Sequence, residues 1–305
     1  MGRHGCFVLG PAGSGKSTFC HALELHAHAA QRSVTFVNLD PASEGFPFAA
    51  SVDVRELVKS TELAQQMELG PNGALIQSIE YLADNLQWLY DALNDAGPSE
   101  DEFFVFDCPG QIELYTHVPA MRRICDGLKT AFALQLCGVF LVDAMMVDGD
   151  AAKYLSAVLL ATSSMLQLEL PWVNVLSKVD LFKKSNQRSR AAMAAAVDDD
   201  NDGHREGDDD EEDGELQDML DVDFVKVAAA LKRPGQTALE RKWGALNEAL
   251  CDMVQEFSMV RFVALSSADP DSVALVQQHI DFATQYGEDV EPVEVRDDAV
   301  DDDSA

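Results

Sequence analysis

The chain alternates short, almost uninterrupted apolar runs with longer segments whose apolar residues recur every three or four positions. The short runs are Cys6-Phe7-Val8-Leu9, Val34-Thr35-Phe36-Val37-Asn38-Leu39, Phe103-Phe104-Val105-Phe106, Gly138-Val139-Phe140-Leu141-Val142, Trp172-Val173-Asn174-Val175-Leu176 and Arg261-Phe262-Val263-Ala264-Leu265. Runs of this length without a polar face predict strands buried on both sides. Between them, Lys16 to about Ala30, Ala74 to Leu93, Ala151 to Leu168 and Gln236 to Phe257 read as helices. Leu75, Ile79, Leu82, Leu86 and Leu89 make one continuous stripe, most simply core. Strands alternating with helices predict an α/β fold, a mostly parallel sheet with helices on both faces. Asp40, Asp107, Asp143, Ser177 and Ser266 follow five of the runs. They mark the C-terminal edge, where open sheets of this kind bind ligands.

The first run leads into Gly10-Pro11-Ala12-Gly13-Ser14-Gly15-Lys16-Ser17-Thr18, which fits G-x-x-x-x-G-K-[ST]. Strand, glycine-rich turn and helix start together separate a phosphate site from a turn that happens to hold a lysine. Glycines let backbone N–H groups curl inward around an anion, and the helix N-terminus adds partial positive charge. Gly13, Ser14, Gly15, Lys16, Ser17 and Thr18 are therefore the candidate phosphate contacts. Lys16 can reach the β and γ phosphates, and the Ser17 hydroxyl can ligate Mg²⁺.

Later strand ends supply matching chemistry. Asp107-Cys108-Pro109-Gly110-Gln111 offers the Asp107 carboxylate for the water shell of Mg²⁺. The Gly110 N–H can meet a γ-phosphate, and without a Cβ the chain there can change shape when that phosphate leaves. The plainer alternative is a loop Asp capping the next helix. In Ser177-Lys178-Val179-Asp180, the Asp180 carboxylate can accept from the ring N–H and exocyclic amine of guanine, where adenine presents the opposite pattern. The Lys178 stem can lie along the base plane. The motif usually begins with Asn, so Ser177 is expected to weaken the loop tether and leave base reading intact. Ser267 and Ala268 can bring backbone N–H groups to the guanine carbonyl, although the Ser266-Ser267 pair equally suits a helix start before Pro270. Asp40 can orient an attacking water or support Mg²⁺, and a turn Asp before Pro41 is its alternative. Asp180 and the lack of an arginine-rich lid disfavour an ATP-specific kinase or ATPase.

Charge changes the picture less than its total suggests. The 305 residues carry a formal net charge of −31. Val197 to Glu215 holds twelve acids and one base, and Glu288 to Asp303 nine acids and one base. These runs account for −19 and leave about −12 for the rest. Residues 1–289 read as one domain, interrupted by a disordered acidic insertion at about 185–215 and followed by an acidic tail, 290–305. Solubility and self-repulsion are plainer roles for both runs than dedicated binding. Without clustered Lys and Arg, no basic face suits nucleic acid. No apolar run is long enough for a bilayer, and the first strand begins too early to leave room for a signal peptide. The six cysteines form no CxxC pair and lie mostly in apolar runs, the pattern of buried reduced thiols in a cytoplasmic or nuclear protein.

Gly70-Pro71-Asn72-Gly73 is, on local grounds, only a turn. It lies between Asn38-Leu39-Asp40-Pro41-Ala42 and Asp107-Cys108-Pro109-Gly110-Gln111-Ile112-Glu113-Leu114-Tyr115-Thr116-His117. In that order the chain resembles the GPN-loop GTPase family, from the first strand to about Asp289. The stretches 137–143, 258–262 and 279–289 resemble its third eukaryotic paralogue. The resemblance implies a P-loop NTPase of SIMIBI type with family-specific helical insertions. It implies a GTP/GDP switch that uses Mg²⁺ and works as a nucleotide-dependent dimer. Asn72 would then act in trans, near the γ-phosphate and attacking water. Gln111 and Glu113 would place or deprotonate that water, and Asp40 would contribute from the second strand end. The implied partner is the first paralogue or a second copy. The implied role is RNA polymerase II assembly and nuclear import, by a cytoplasmic protein that reaches the nucleus. A nucleotide-stabilised scaffold or assembly chaperone, with incidental hydrolysis, fits the same residues.

Overall fold

Each of the six apolar runs becomes a strand, and a two-residue strand joins them at one edge. The strands are β1 (His4–Leu9), β2 (Val34–Asn38), β3 (Val52–Asp53), β4 (Phe103–Asp107), β5 (Gln135–Asp143), β6 (Trp172–Ser177) and β7 (Phe262–Ala264). They pair in the order β3-β2-β4-β1-β5-β6-β7, every pair parallel. The structure, a computed structural model, describes residues 3–45, 47–97, 102–148, 150–185, 224–231, 238–257 and 261–288, with Leu216 and Leu220. The expected acidic insertion, apart from Ser185, and the expected tail lie outside the described residues.

Alternation explains why the runs are apolar throughout. Along β1, Phe7 and Leu9 enter one core while Cys6 and Val8 enter the other. Along β4, Phe104 and Phe106 oppose Phe103 and Val105. Both faces are dry, so both sets of side chains must be apolar. One face is covered by α1 (Lys16–Ala29) and by the last helix, numbered α11 (Pro270–Thr284), through Phe19, Leu23, Val273, Val276 and Ile280. The other face is covered mainly by α3 (Pro71–Asp84), α4 (Leu86–Ala96), α6 (Ala120–Phe132) and α8 (Ala151–Leu168). The remaining helices are α2 (Ser60–Met67), α5 (Glu113–Thr116), α7 (Ala144–Val147), α9 (Phe224–Leu231) and α10 (Ala238–Phe257).

The apolar pattern misplaces some boundaries. The single helix expected from Ala74 to Leu93 is two, because Asn85 breaks it. Its side-chain amide donates to the Tyr81 carbonyl at 2.8 Å, ending α3, and its own carbonyl then accepts from Trp88. Asparagine competes with the helix for such bonds, and the stripe passes over the break because its apolar spacing is unchanged. Gly70-Pro71-Asn72-Gly73 is not a free turn but the start of α3. Gly70 is the N-cap and Pro71 the first helical residue, where its fixed φ is favourable. Residues 179–185 are helical, so regular structure runs up to the expected edge of the insertion. All six cysteines are buried and unbridged. No helix among the described residues is long and apolar enough to cross a membrane.

At the N-terminal edge of the sheet, Arg32 clasps the end of α11. Its guanidinium donates to both Asp281 oxygens, at 2.8 and 2.9 Å. It also lies 3.8 Å from the Tyr286 ring centre and 4.5 Å from that of Phe103. Arg32→Met keeps most of the stem but loses the fork and the cation–π stack, and is expected to cost about 2–3 kcal/mol. Urea unfolding measures this, and an unchanged midpoint would show that the clasp carries no stability.

Candidate functional site

β1 stops at Leu9 and the chain turns through Gly10, Gly13 and Gly15, with φ of 139°, 78° and 91°. These left-handed angles let the turn close on itself and place Gly15 as the cap of α1. Lys16 is buried behind the turn, and its ammonium donates to the carbonyls of Gly10 (3.1 Å) and Pro11 (3.0 Å). Burial pushes its pKa down, while the charges of Asp107 and Asp40, among others, push it back.

The Ser17 hydroxyl donates to Asp107 Oδ2 at 2.6 Å, joining the first turn of α1 to the end of β4. The other oxygen, Asp107 Oδ1, is buried and has no hydrogen-bond partner. Burial raises the Asp107 carboxyl to about 6, against the Ser17 bond and the Lys16 charge. A hydroxyl beside a carboxylate with an unpaired buried oxygen is the hard donor set that suits Mg²⁺. Asp40 lies within electrostatic reach of both Lys16 and Asp107. Its Oδ1 accepts from the Ala42 N–H at 2.9 Å, so the turn geometry expected before Pro41 is present. Burial pushes its pKa up as well. Among the described residues no group of three His, Cys, Asp or Glu side chains forms a protein-only metal cage.

The segment after Asp107 leans on the phosphate loop. A Cβ on Gly110 would stand 2.9 Å from Ala12 Cα, closer than side-chain carbons come. The Tyr115 hydroxyl donates to the Pro109 carbonyl from below and pins the segment. Gln111 Oε1 is buried without a partner, whereas Glu113 is exposed as the first residue of α5. Asn72 is exposed in the first turn of α3, which packs on α2, α4 and α6. Among the described residues no hydrogen bond joins its side chain to the phosphate loop. Thr18 follows Ser17 in the first turn of α1 and is exposed.

Ser177 corrects one expectation. Its hydroxyl lies 2.7 Å from the Ser14 carbonyl and 3.1 Å from that of Val142, so it tethers the phosphate loop to β6. The end of β6 comes close enough to the loop for a short side chain to span the gap. Beyond it Lys178 takes a φ of 60°, and its Cε passes 3.9 Å from where a Gly15 Cβ would be. Asp180 is half-buried in the helical run 179–185, with Lys184 Nζ at 3.6 Å. Backbone bonds Leu265 N–H to Leu176 O and Val179 N–H to Leu265 O fasten the turn holding Ser267 and Ala268 beside this loop. The serine pair does not start α11. Asp269 caps it, accepting from the Asp271 N–H at 3.1 Å.

The site therefore has a glycine-rich turn, a hydroxyl–carboxylate pair and the Lys178–Asp180 segment along one sheet edge. A family profile described as "Conserved hypothetical ATP binding protein" matches residues 8–286. The chain is 42% identical to GPN-loop GTPase 3 of Mycosarcoma maydis over 97% of each chain. It is 38% identical to GPN-loop GTPase 3 of Dictyostelium discoideum over 96% of this chain and 91% of that one. The same protein of Xenopus tropicalis is also 38% identical, over 95% and 91% respectively. The chain belongs to the GPN-loop GTPase family. A solved GTPase of Pyrococcus abyssi, in its apo form, shares the fold with a TM-score of 0.68 at 22% identity, covering 92% of this chain and 97% of that one.

In this GPN-loop GTPase the apolar pattern hides a second grip on the Asp40 turn. Asn38 accepts from the Asp40 N–H at 3.0 Å and donates to Asp53 at 2.8 Å. Asp53 holds Arg55, whose guanidinium reaches the Ser43 carbonyl at 2.9 Å. A fully buried Asn in an apolar strand was the available signal.

The buried Asp107 gives a pH prediction for the nucleotide-free protein. Its folded pKa, about 6, exceeds the 3.8 of a free Asp, so ionising it costs stability as pH rises from about 4 through 6. Asp107→Asn should raise the thermal midpoint at pH 8, and the gain should shrink by about 1 kcal/mol at pH 5. Paired melts at the two pH values check this. A gain that grows toward pH 5 would contradict it.

Proposed function

We propose that this protein binds GTP with Mg²⁺, hydrolyses it to GDP and inorganic phosphate, and works as a dimer whose partner completes the site. One arrangement carries the reading. The phosphate turn, the Ser17–Asp107 pair and the Ser177 tether bring the ends of β1, β4 and β6 together around one glycine turn. Lys16 sits where its ammonium can exchange loop carbonyls for phosphate oxygens. Ser17 and Asp107, with support from Asp40, would hold Mg²⁺, which would supply charge neutralisation at the β and γ phosphates.

The profile's description names ATP and the relatives are named GTPases. Asp180 favours guanine on chemical grounds. A carboxylate at the base edge accepts two donors from guanine, whereas the corresponding ring nitrogen of adenine is itself an acceptor and would be left facing it. Ser267 and Ala268 lie beside this loop and offer backbone N–H groups to the guanine carbonyl. Gln111, next to the Gly110 contact, places the attacking water, with Glu113 assisting. Asn72 is exposed at a helix N-terminus, where partial positive charge collects, and is free to enter a neighbour's site. Family membership further suggests the first paralogue or a second copy as partner. It suggests RNA polymerase II assembly and nuclear import as the role, with a cytoplasmic protein reaching the nucleus.

Asp180→Asn should move nucleotide preference from GTP to XTP by roughly 10²-fold or more, because an amide donor now faces the xanthine carbonyl. Competition titrations read this directly. A mutant that binds GTP as tightly as the parent removes Asp180 from base recognition. For the role in trans, an Asn72→Ala chain is mixed with a Lys16→Ala chain that cannot hold nucleotide. Hydrolysis should recover in the mixture, since the competent site then receives Asn72 from its neighbour. Turnover untouched by Asn72→Ala alone would take the loop out of catalysis.

A further inference from the structure

β5 ends at Asp143, and β6, paired with it, ends opposite at Ser177. The next residue, Lys178, has a φ of 60°, one of the few non-glycine residues in the left-handed region among the described residues. Such a conformation is uncommon for a side-chain-bearing residue and persists where surrounding contacts hold it. Here the contact is an ion pair. Lys178 Nζ donates to Asp143 Oδ2 at 2.7 Å. The other carboxylate oxygen accepts from the Met145 N–H at 2.9 Å, so Asp143 is itself fixed as the cap of α7. Asp143 is almost fully buried, while Lys178 is only about two-thirds so (side chains 11% and 32% exposed).

Two consequences meet at the base loop. With its ammonium tied to Asp143, the Lys178 stem runs past Gly15 at the mouth of the phosphate turn. The Lys178 carbonyl also accepts from the N–H groups of Leu181 and Phe182, so Lys178 begins the helical run 179–185. Its left-handed twist therefore sets the direction of that run, and Asp180 sits in its first turn. An anchor on β5 thus controls both the flat stem that a base would lie against and the carboxylate that would read it.

We propose that Asp143 is a positioning residue for guanine recognition, acting through Lys178. It touches neither base nor phosphate. It holds the lysine in the one conformation that presents stem and Asp180 together. This inference rests on the base-reading role of Asp180 given above.

The test uses Asp143→Asn, which keeps an acceptor for the Met145 N–H but loses the charge, and Lys178→Met, which keeps the stem and loses the ammonium. Affinities for GTP, for inosine triphosphate (which lacks the exocyclic amine) and for inorganic tripolyphosphate are measured with Mg²⁺ by calorimetry. Loss of one partly buried charge-assisted bond should weaken GTP by about tenfold in either variant. The preference for GTP over the inosine nucleotide should fall in step, and tripolyphosphate affinity should stay at the parent value. The double variant should be no weaker than the worse single one, because both remove the same bond. Two results overturn the proposal. One is an Asp143→Asn protein with the parent's GTP affinity and preference. The other is a parallel loss of GTP and tripolyphosphate, which would make the pair a general prop of the loop. Should Asp143→Asn not fold, Lys178→Met decides by the same criteria, since Lys178 is the more exposed end of the bond. A parent that prefers neither GTP to ATP nor GTP to the inosine nucleotide would instead overturn the base-reading role itself, and with it this proposal.

Discussion

Seven strands running the same way put every strand C-terminus on one edge of the sheet, and the site depends on that constraint. A parallel sheet cannot be closed by short hairpins, so each strand end must release the chain into a crossover connection, usually a loop and a helix. β1 lies in the middle of the order, with β4 on one side and β5 on the other. The chain runs outward from it in both directions, which opens a crevice at its end. The glycine turn fills that crevice, and Asp107 and Ser177, from β4 and β6, both reach it.

Burial gives this edge its electrical character. Lys16, Asp107 and Asp40 stand within mutual influence where water is scarce, so each charge is felt strongly. The lysine is held by carbonyls, and Asp107 keeps one oxygen unpaired. Buried polar groups in folded proteins are usually paired, and an unpaired one beside a strained glycine turn marks a place built to receive something charged. Stability is conceded there and recovered elsewhere, in the two dry cores and in the Arg32 clasp at the far edge of the sheet.

Much of this was legible from residue order because the signals were local. A strand buried on both faces must be apolar at every position, so β1, β4, β5 and β6 announced themselves to within a few residues. The phosphate turn was legible because its glycines, Lys16 and Ser17 are consecutive. What could not be read were relations between residues far apart in the chain. The Ser177 tether looked weakened because a serine is shorter than an asparagine, and only the distance to Ser14, 163 positions away, shows that it is long enough. Asp143 read as one more polar strand end until its bond to Lys178, 35 positions away, appeared. The break at Asn85 was masked by a hydrophobic stripe that does not lose phase there. The two-residue β3 is too short to show any period.

By itself the amino-acid order determined the class of fold, the strands, the phosphate turn and the residue types offered at each strand end. All of these follow from hydrophobic periodicity and from the stereochemistry of a few neighbouring residues. The tertiary structure alone decided which of those ends meet, how deeply Lys16 and Asp107 are buried, and that Ser177 and Asp143 are structural partners of the loop. It also decided that Asn72 stands outward at a helix start. Those outcomes depend on strand order, register and exclusion of water, which arise only when distant segments pack together.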